Sequence, residues 1–226
     1  MTTEPAIYNV AIALGSNLGD YFRNIEYALR LLEYLPQEDQ LDGIDLPFVR
    51  IIDTSFLYKT KPMYVTDQPA FINAACMVLL FCQTSSSLVK TSFFHQVETN
   101  IFPIALLSLL KKIESIVGRV PSIRNGPRAV DLDIIFCGSN IIDTRSNKET
   151  LDNLDGELVI PHPRVQEREF VLRPLNEYDM FLLPNKKKIL SASFRLTFFL
   201  FLFFFKKHGP RFHPSDLAKK CKVALK

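Results

Sequence analysis

The stretch NGPRAVDLDIIFCG, residues 125–138, places two aspartates, Asp131 and Asp133, inside an otherwise apolar run. The run is bounded by Gly126-Pro127 and by Gly138, a pattern that predicts a buried β-strand. Positions i and i+2 of a strand point to the same face, so the two carboxylates are expected side by side. Their mutual repulsion requires nearby cations. The stretch therefore predicts either a metal site or a salt bridge between an aspartate and an arginine.

The segments before and after this strand predict the rest of the fold. Apolar and β-branched runs predict strands at 8–14, 48–60 and 70–78, and helices are expected after Asp20, from Pro103 to Gly118, and from about Arg164. The order β-α-β-β-α-β predicts an α+β class fold, in which a ferredoxin-like antiparallel sheet has helices packed on one face.

Length and composition narrow the class of protein. The chain has 226 residues, which suits one domain with a sizeable core. Its cysteines are scattered without metal-ligand spacing, as in an intracellular protein. The net charge of +3 arises from the basic residues 181–226, since 1–180 are slightly acidic. The basic pI therefore gives no support for nucleic-acid binding. The amino-terminal residues lack the features of a secretory signal, so we expect a cytoplasmic or mitochondrial protein that is not secreted.

Three arginines precede the aspartate pair. Arg119, Arg124 and Arg128 lie in a segment that also holds glycines and prolines. Arginine binds phosphate oxygens through a planar fork, and Mg²⁺ prefers one or two carboxylates together with substrate phosphates. The combination indicates a polyphosphate site. The competing interpretation is a loop of solvated charges.

Two further stretches supply candidate ligands. IPHPRVQEREF contributes His162, Arg164, Arg168 and Phe170, and TKPMYVTDQPAFINA contributes Thr60, together with Phe71 and Asn73 on one strand face. An aromatic plate beside an amide suits a flat heteroaromatic ligand, although a core phenylalanine and a sheet asparagine would give the same pattern. The GSNLGD turn lacks the lysine of a P-loop.

Four of these stretches, taken in order, resemble the 6-hydroxymethyl-7,8-dihydropterin pyrophosphokinases of folate biosynthesis. They are ALGSNLGD, FLYKTKPMYVTDQPAFINAA, RNGPRAVDLDII and IPHPRVQEREFVLRPL. The resemblance implies a ferredoxin-like enzyme that transfers the β,γ-pyrophosphate of ATP to the pterin's hydroxymethyl group and releases AMP.

The resemblance also implies roles for most of the candidate residues. Asp131 and Asp133 would hold two Mg²⁺ ions, and Arg119 and Arg128 would be the catalytic cations. ATP would contact Glu114, Arg124, His162 and Arg168. The pterin would contact Thr60, Phe71, Asn73 and Phe170.

Three parts of the chain depart from the family pattern. Within a domain expected at 1–180, residues 78–96 have no family counterpart, and we interpret them as an insert that comes from a retained intron. Residues 181–208 form a second, phenylalanine-rich insert, and 209–226 resemble the family's C-terminal segment. Asn125 stands where bacterial members carry a tryptophan, which predicts weaker loop closure.

Several alternatives follow from these departures. The inserts favour, as the main alternative, an inactive family member that binds pterin and ATP. A different Mg²⁺-dependent nucleotidyltransferase would release pyrophosphate instead of AMP. A membrane-anchored form would use the phenylalanine-rich run, but this run is shorter than a bilayer span requires. The resemblance also implies fusion to, or association with, dihydropteroate synthase.

Overall fold

A computed structural model of the chain describes residues 6–35, 40–41, 44–45, 48–82, 94–145 and 158–178. The expected segments 181–208 and 209–226, and the middle of the expected insert 78–96, lie outside these residues. The strands are β1 (Ala6–Ser16), β2 (Gln40–Leu41), β3 (Ile44–Asp45), β4 (Phe48–Thr54), β5 (Tyr58–Thr60), β6 (Phe71–Cys82), β7 (Asp131–Cys137), β8 (Ile142–Asp143) and β9 (Val159–Ile160). The helices are α1 (Tyr21–Tyr34), α2 (Phe94–Val117) and α3 (Glu169–Leu175), and a short 3₁₀ helix spans Val165–Glu167.

The main sheet is antiparallel, with the strand order β4-β6-β1-β7 and with β5 paired to β6. β1 and β6 form its centre and pair along their whole shared length, from Ala6 opposite Cys82 to Ser16 opposite Ile72. β7, the last strand of this sheet in sequence, borders β1 on the other side. This order and the alternation with helices confirm the predicted ferredoxin-like α+β fold.

Two layers cover the sheet. The even-numbered residues of β1 and β6, such as Ile12 and Val78, pack against α1 and α2 in a large apolar core. Odd-numbered residues, such as Ala13 and Met77, pack against α3 on the opposite face. The expectation of helices on one face thus holds for the two long helices, and the short α3 adds cover to part of the other face.

Helix boundaries follow local signals in part. Asp20 is the N-cap of α1, and its carboxylate accepts a hydrogen bond from the backbone N–H of Arg23. α2 ends at Val117, directly before the predicted Gly118, whose φ of +106° is a conformation that favours glycine. It begins at Phe94, however, so that Pro103 lies inside the helix and not at its start.

Two strand predictions need correction. The run expected as one strand at 48–60 is divided into β4 and β5, because the Ser55 hydroxyl accepts a hydrogen bond from Ala75 N–H at 2.9 Å in place of a backbone carbonyl. β6 continues to Cys82 beyond the predicted end at 78. Val78 and Leu80 are fully buried, so the first residues of the expected insert belong to the core.

None of the helices in the described part of the chain combines the length and apolar composition needed to cross a bilayer. The phenylalanine-rich run on which a membrane anchor would depend is not among the described residues.

Candidate active site

One end of the sheet opens into a cavity of about 810 Å³. Its floor is made where three strands meet, since Gly15 of β1 lies opposite Asn73 of β6 on one side and opposite Asp131 of β7 on the other. A Cβ atom at Gly15 would lie 3.1 Å from the Asn73 side-chain oxygen. Glycine therefore keeps the floor open at the point where the two halves of the site join.

The half beside β5 and β6 combines an aromatic ring with a fixed amide. Phe71 and Asn73 point to the same face, as predicted from their spacing, and both line the cavity. The amide nitrogen of the buried Asn73 donates to the Thr60 hydroxyl at 2.7 Å. Phe170, at the start of α3, lines the same cavity. The arrangement offers aromatic faces and a held amide to a flat polar ligand.

The half beside β7 carries the charges. Asp131 and Asp133 both line the cavity, while Leu132 between them is buried in the core. The carboxylate of Asp131 accepts one bond from the Arg119 guanidinium and one from Arg128 at 2.8 Å. Burial alone would raise the pKa of Asp131, but the two guanidiniums outweigh it and hold that pKa below its usual range. Asp131 is therefore a carboxylate at neutral pH.

The other aspartate is held less tightly. Asp133 lies 3.6 Å from the nearest guanidinium nitrogen of Arg168, and about a third of its side chain is exposed. Among the described residues, no group of three or more His, Cys, Asp and Glu side chains lies close enough together to hold a metal. The two aspartates nevertheless fit Mg²⁺, which needs only one or two protein carboxylates when substrate phosphates supply other ligands.

His162 lies on the far wall, after the cis peptide between Ile160 and Pro161. Its backbone N–H donates to the carbonyl of Ile135 in β7 at 3.1 Å, which fixes the turn to the sheet. Its Nδ1 accepts the backbone N–H of Arg164 at 3.2 Å, and its Nε2 lies 3.5 Å from a guanidinium nitrogen of Arg168. Burial lowers the pKa of His162 against the opposing effect of Asp133.

Glu114 is the one predicted site residue that does not line the cavity. It lies on α2 beneath β7, is 2% exposed, and accepts the backbone N–H of Leu132 at 2.7 Å. Its carboxylate also lies 2.7 Å from the Arg119 guanidinium. Burial raises the pKa of Glu114, and the charge of Lys111 acts in the opposite direction. Glu114 is thus placed to support Arg119 and the start of β7 from below.

Every other predicted residue lines this one cavity, and the structure adds several that the sequence did not single out. The predicted set is Thr60, Phe71, Asn73, Arg119, Arg124, Arg128, Asp131, Asp133, His162, Arg164, Arg168 and Phe170, and the added residues include Gly15, Met63, Tyr64, Gln68 and Lys111. The signal for Gly15 was its place directly after a buried strand, in the GSNLGD turn. Tyr64 carried no signal, since its contact with the Arg164 guanidinium joins residues far apart in sequence.

Comparisons with known proteins agree with this geometry. A family model described as 7,8-dihydro-6-hydroxymethylpterin-pyrophosphokinase (HPPK) matches residues 11–92 and 84–180. The folic acid synthesis protein fol1 of Pneumocystis carinii is 39% identical over 175 residues, which are 76% of this chain and 18% of that protein. The chain thus spans about a fifth of the length of that relative.

Another relative matches over most of its own length. The 2-amino-4-hydroxy-6-hydroxymethyldihydropteridine pyrophosphokinase of Pseudomonas aeruginosa is 32% identical over 169 residues, which are 75% of this chain and 79% of that protein. The fold also resembles the crystal structure of Plasmodium falciparum HPPK-DHPS A437G/K540E with pterin and p-hydroxybenzoate, with a TM-score of 0.54 at 16% identity over 88% of this chain and 44% of that one. The chain therefore belongs to the 7,8-dihydro-6-hydroxymethylpterin-pyrophosphokinase (HPPK) family.

Proposed function

We propose that the chain transfers pyrophosphate from ATP to the hydroxymethyl group of 6-hydroxymethyl-7,8-dihydropterin, giving the pterin diphosphate and AMP. The observation that carries the proposal is a single cavity with two unlike halves. One half offers Phe71, Phe170 and the Asn73 amide, and the other offers an aspartate pair among arginines. Family membership supports the same reaction.

The pterin is proposed to bind at the half beside β5 and β6. The Thr60 hydroxyl holds the Asn73 amide in one orientation, which leaves the amide oxygen for a ring N–H. Aromatic rings of Phe71 and Phe170 give apolar contact to the faces of the heterocycle. Binding there directs the hydroxymethyl group toward β7 and excludes water from the ring.

The polyphosphate is proposed to bind at the charged half. Arg119 and Arg128 already lie at Asp131, so an incoming phosphate chain meets two guanidiniums at once. Arg124 and Arg168 line the same cavity, and the His162 ring lies beside the Arg168 guanidinium. The substrate hydroxyl is itself the nucleophile, so these residues position the reactants and neutralise charge.

Asp131 and Asp133 are proposed to hold the two Mg²⁺ ions. When bound, the ions would neutralise charge on the phosphate oxygens of ATP as the bond from the β-phosphorus to the oxygen that leaves with AMP breaks. Asp131 contributes as a carboxylate, because the guanidiniums of Arg128 and Arg119 hold its pKa below the usual range.

The test is AMP formation from ATP, Mg²⁺ and 6-hydroxymethyl-7,8-dihydropterin, together with detection of the pterin diphosphate. We expect Asp133→Asn to lower kcat by about 100-fold or more, as expected for loss of an electrostatic contact in the transition state. The matched control is Asp53→Asn, on the exposed edge strand β4, which should leave kcat unchanged.

Other products would contradict the proposal. Release of pyrophosphate in place of AMP would indicate the nucleotidyltransferase. A folded chain that binds both substrates without turnover would be the inactive family member.

We further propose association with a dihydropteroate synthase, as a fused domain or a separate chain, which the HPPK-DHPS architecture of the structural relative supports. The compartment, cytoplasm or mitochondrion, stays a prediction.

A further inference from the structure

A fully buried asparagine lies behind the cavity. Asn17 follows the end of β1 and has no exposed surface. Its backbone N–H donates to the carbonyl of Arg128 at 3.2 Å, and its side-chain oxygen accepts the backbone N–H of Arg128 at 2.9 Å. Asn17 therefore holds the backbone of one catalytic-loop arginine from both sides, while the Arg128 side chain reaches Asp131.

The amide nitrogen of the same residue reaches a different loop. It donates to the side-chain oxygen of Gln68 at 3.0 Å and to the carbonyl of Pro69 at 3.1 Å. Gln68 in turn donates to the carbonyl of Val65 at 2.7 Å and to that of Asn125 at 2.8 Å. Gln68 thus ties its own loop to the loop that carries Arg128.

The orientation of both amides is determined by their partners. A backbone N–H, such as that of Arg128, can only donate, and the carbonyls of Pro69 and Asn125 can only accept. Neither amide can rotate by 180° without placing like groups together. The two side chains consequently form a directed chain of hydrogen bonds from the arginine loop (residues 118–130), through Asn17 and Gln68, and back to the arginine loop at Asn125.

We propose that Asn17 and Gln68 are positioning residues that couple the arginine loop to the pterin loop (residues 61–70). Met63, Tyr64 and Gln68 of the pterin loop line the same cavity as Arg119, Arg124 and Arg128 of the arginine loop. The inference rests on the proposed function, because the two loops border the two substrates. The coupling keeps the pterin and the phosphate chain at a fixed distance and orientation. This matters for the rate, because a displacement of about 1 Å between reacting groups can lower it by about 100-fold.

The test replaces the donor end of one amide. Asn17→Asp keeps an oxygen for the Arg128 N–H but puts a second oxygen against Gln68 and Pro69. We expect faster hydrogen exchange in both loops and a fall in kcat of about tenfold or more, with the KM for ATP little changed. Gln68→Glu puts an oxygen against the carbonyls of Val65 and Asn125 and should have the same effects. Because Gln68 is a half-buried loop residue, this variant tests the coupling of the two loops if Asn17→Asp does not fold.

The matched control is Asn24→Asp. Asn24 also donates to the arginine loop, at the carbonyl of Ala129, but its other bond is to Leu18 and not to the pterin loop. The Asn24→Asp variant should show faster hydrogen exchange in the arginine loop alone, and its kcat should stay near the wild-type value. The proposal is overturned if Asn17→Asp affects exchange in only one loop, or lowers kcat no more than Asn24→Asp does. If the wild-type chain releases no AMP, the proposed function fails, and the exchange data still decide whether the loops are coupled.

Discussion

Asp131 and Asp133 are neighbours on one face of β7, yet their surroundings differ. Asp131 is bonded to two guanidiniums, whereas Asp133 has one longer contact, with Arg168. A cation that approaches the pair therefore competes with fewer protein contacts at Asp133. This difference is the reason for choosing Asp133 as the variant in the AMP assay.

The spacing of two residues along a strand was enough to predict which side chains of the site lie on the same face. The period of two places Asp131 with Asp133, and Phe71 with Asn73, on shared faces, and the structure has both pairs in the cavity. The role of Asn17 could not be predicted in this way, because its bond to Arg128 joins residues 111 positions apart. The burial of Glu114 likewise depends on how α2 packs against β7 and not on local pattern.

Glu114 gives a prediction at the level of one side chain. Glu114→Gln keeps an oxygen for the Leu132 N–H, and the raised pKa of Glu114 shows that burial already disfavours its charge. We expect a change in unfolding free energy within about 1 kcal/mol. Glu114→Leu removes the acceptor and leaves a buried N–H unpaired, which should cost about 1–3 kcal/mol.

Urea denaturation of both variants measures this difference. Equal losses of unfolding free energy in the Glu114→Gln and Glu114→Leu variants would show that the hydrogen bond to Leu132 contributes little to stability. The charge of Glu114 would then account for its contribution. Both variants lose the charge that pairs with Arg119 and Lys111, so their difference measures the loss of the polar side chain that accepts the Leu132 N–H.

The element that links the site to the rest of the fold is α3. Its first turn carries Phe170 at the cavity, and the residues after it attach to the sheet. The Tyr178 hydroxyl donates to the carbonyl of Ala75 in β6 at 2.6 Å. Glu177 accepts the backbone N–H of Phe56 at 3.0 Å and the hydroxyl of Tyr58 in β5. α3 therefore fixes Phe170 relative to the strand that ends in Thr60.

We expect Glu177→Ala to destabilise the chain by about 1–3 kcal/mol, because the Phe56 N–H and the Tyr58 hydroxyl lose their acceptor. The KM for the pterin should also rise, since β5 and α3 both border its proposed site. Glu169→Ala is the matched control on the same helix. Its exposed ion pair with Arg173 should contribute less than about 0.5 kcal/mol.

Urea denaturation and pterin titration measure these two effects. A Glu177→Ala variant as stable as Glu169→Ala would mean that the hydrogen bonds of Glu177 to Phe56 and Tyr58 do not stabilise the fold. An unchanged KM for the pterin in a destabilised variant would limit Glu177 to a structural role.

The order of elements was predictable because each one carries its own signals, such as the N-cap Asp20 and the glycine after α2. Element ends were less predictable where tertiary contacts override those signals. Ser55 interrupts a run with high strand propensity by bonding to Ala75. Pro103, a common first residue of helices, lies inside α2.

At the scale of the whole molecule, the open question is whether residues 78–96 are surplus to the domain, as we propose. The family model matches the chain in two stretches, 11–92 and 84–180, which overlap in this region. Joining Met77 to Val97 would place a valine at the buried position of Val78 in β6, and a threonine at that of Leu80. The shortened chain should fold and release AMP, with a weaker core at the end of β6.

The position of Pro103 makes this proposal measurable. In the full chain Pro103 is the tenth residue of α2, where a proline lacks a backbone donor and clashes with the preceding turn. In the shortened chain only six residues would separate it from Met77, so it would fall in the first turn of the helix, where proline is tolerated. Pro103→Ala should therefore stabilise the full chain relative to the shortened one, by up to about 3 kcal/mol.

Urea denaturation of the two chains, each with and without Pro103→Ala, gives this difference directly. The buried proline ring is lost in both chains, so its packing cancels in the comparison and the helix position alone remains. A larger stabilisation in the full chain, together with AMP release by the shortened chain, would support 78–96 as an insert that displaced the start of α2. Equal effects of Pro103→Ala would mean that Pro103 is no less favourable in the helix of the full chain than in that of the shortened chain, which contradicts a displaced start of α2. A shortened chain that neither folds nor releases AMP would show that residues 78–96 belong to the domain.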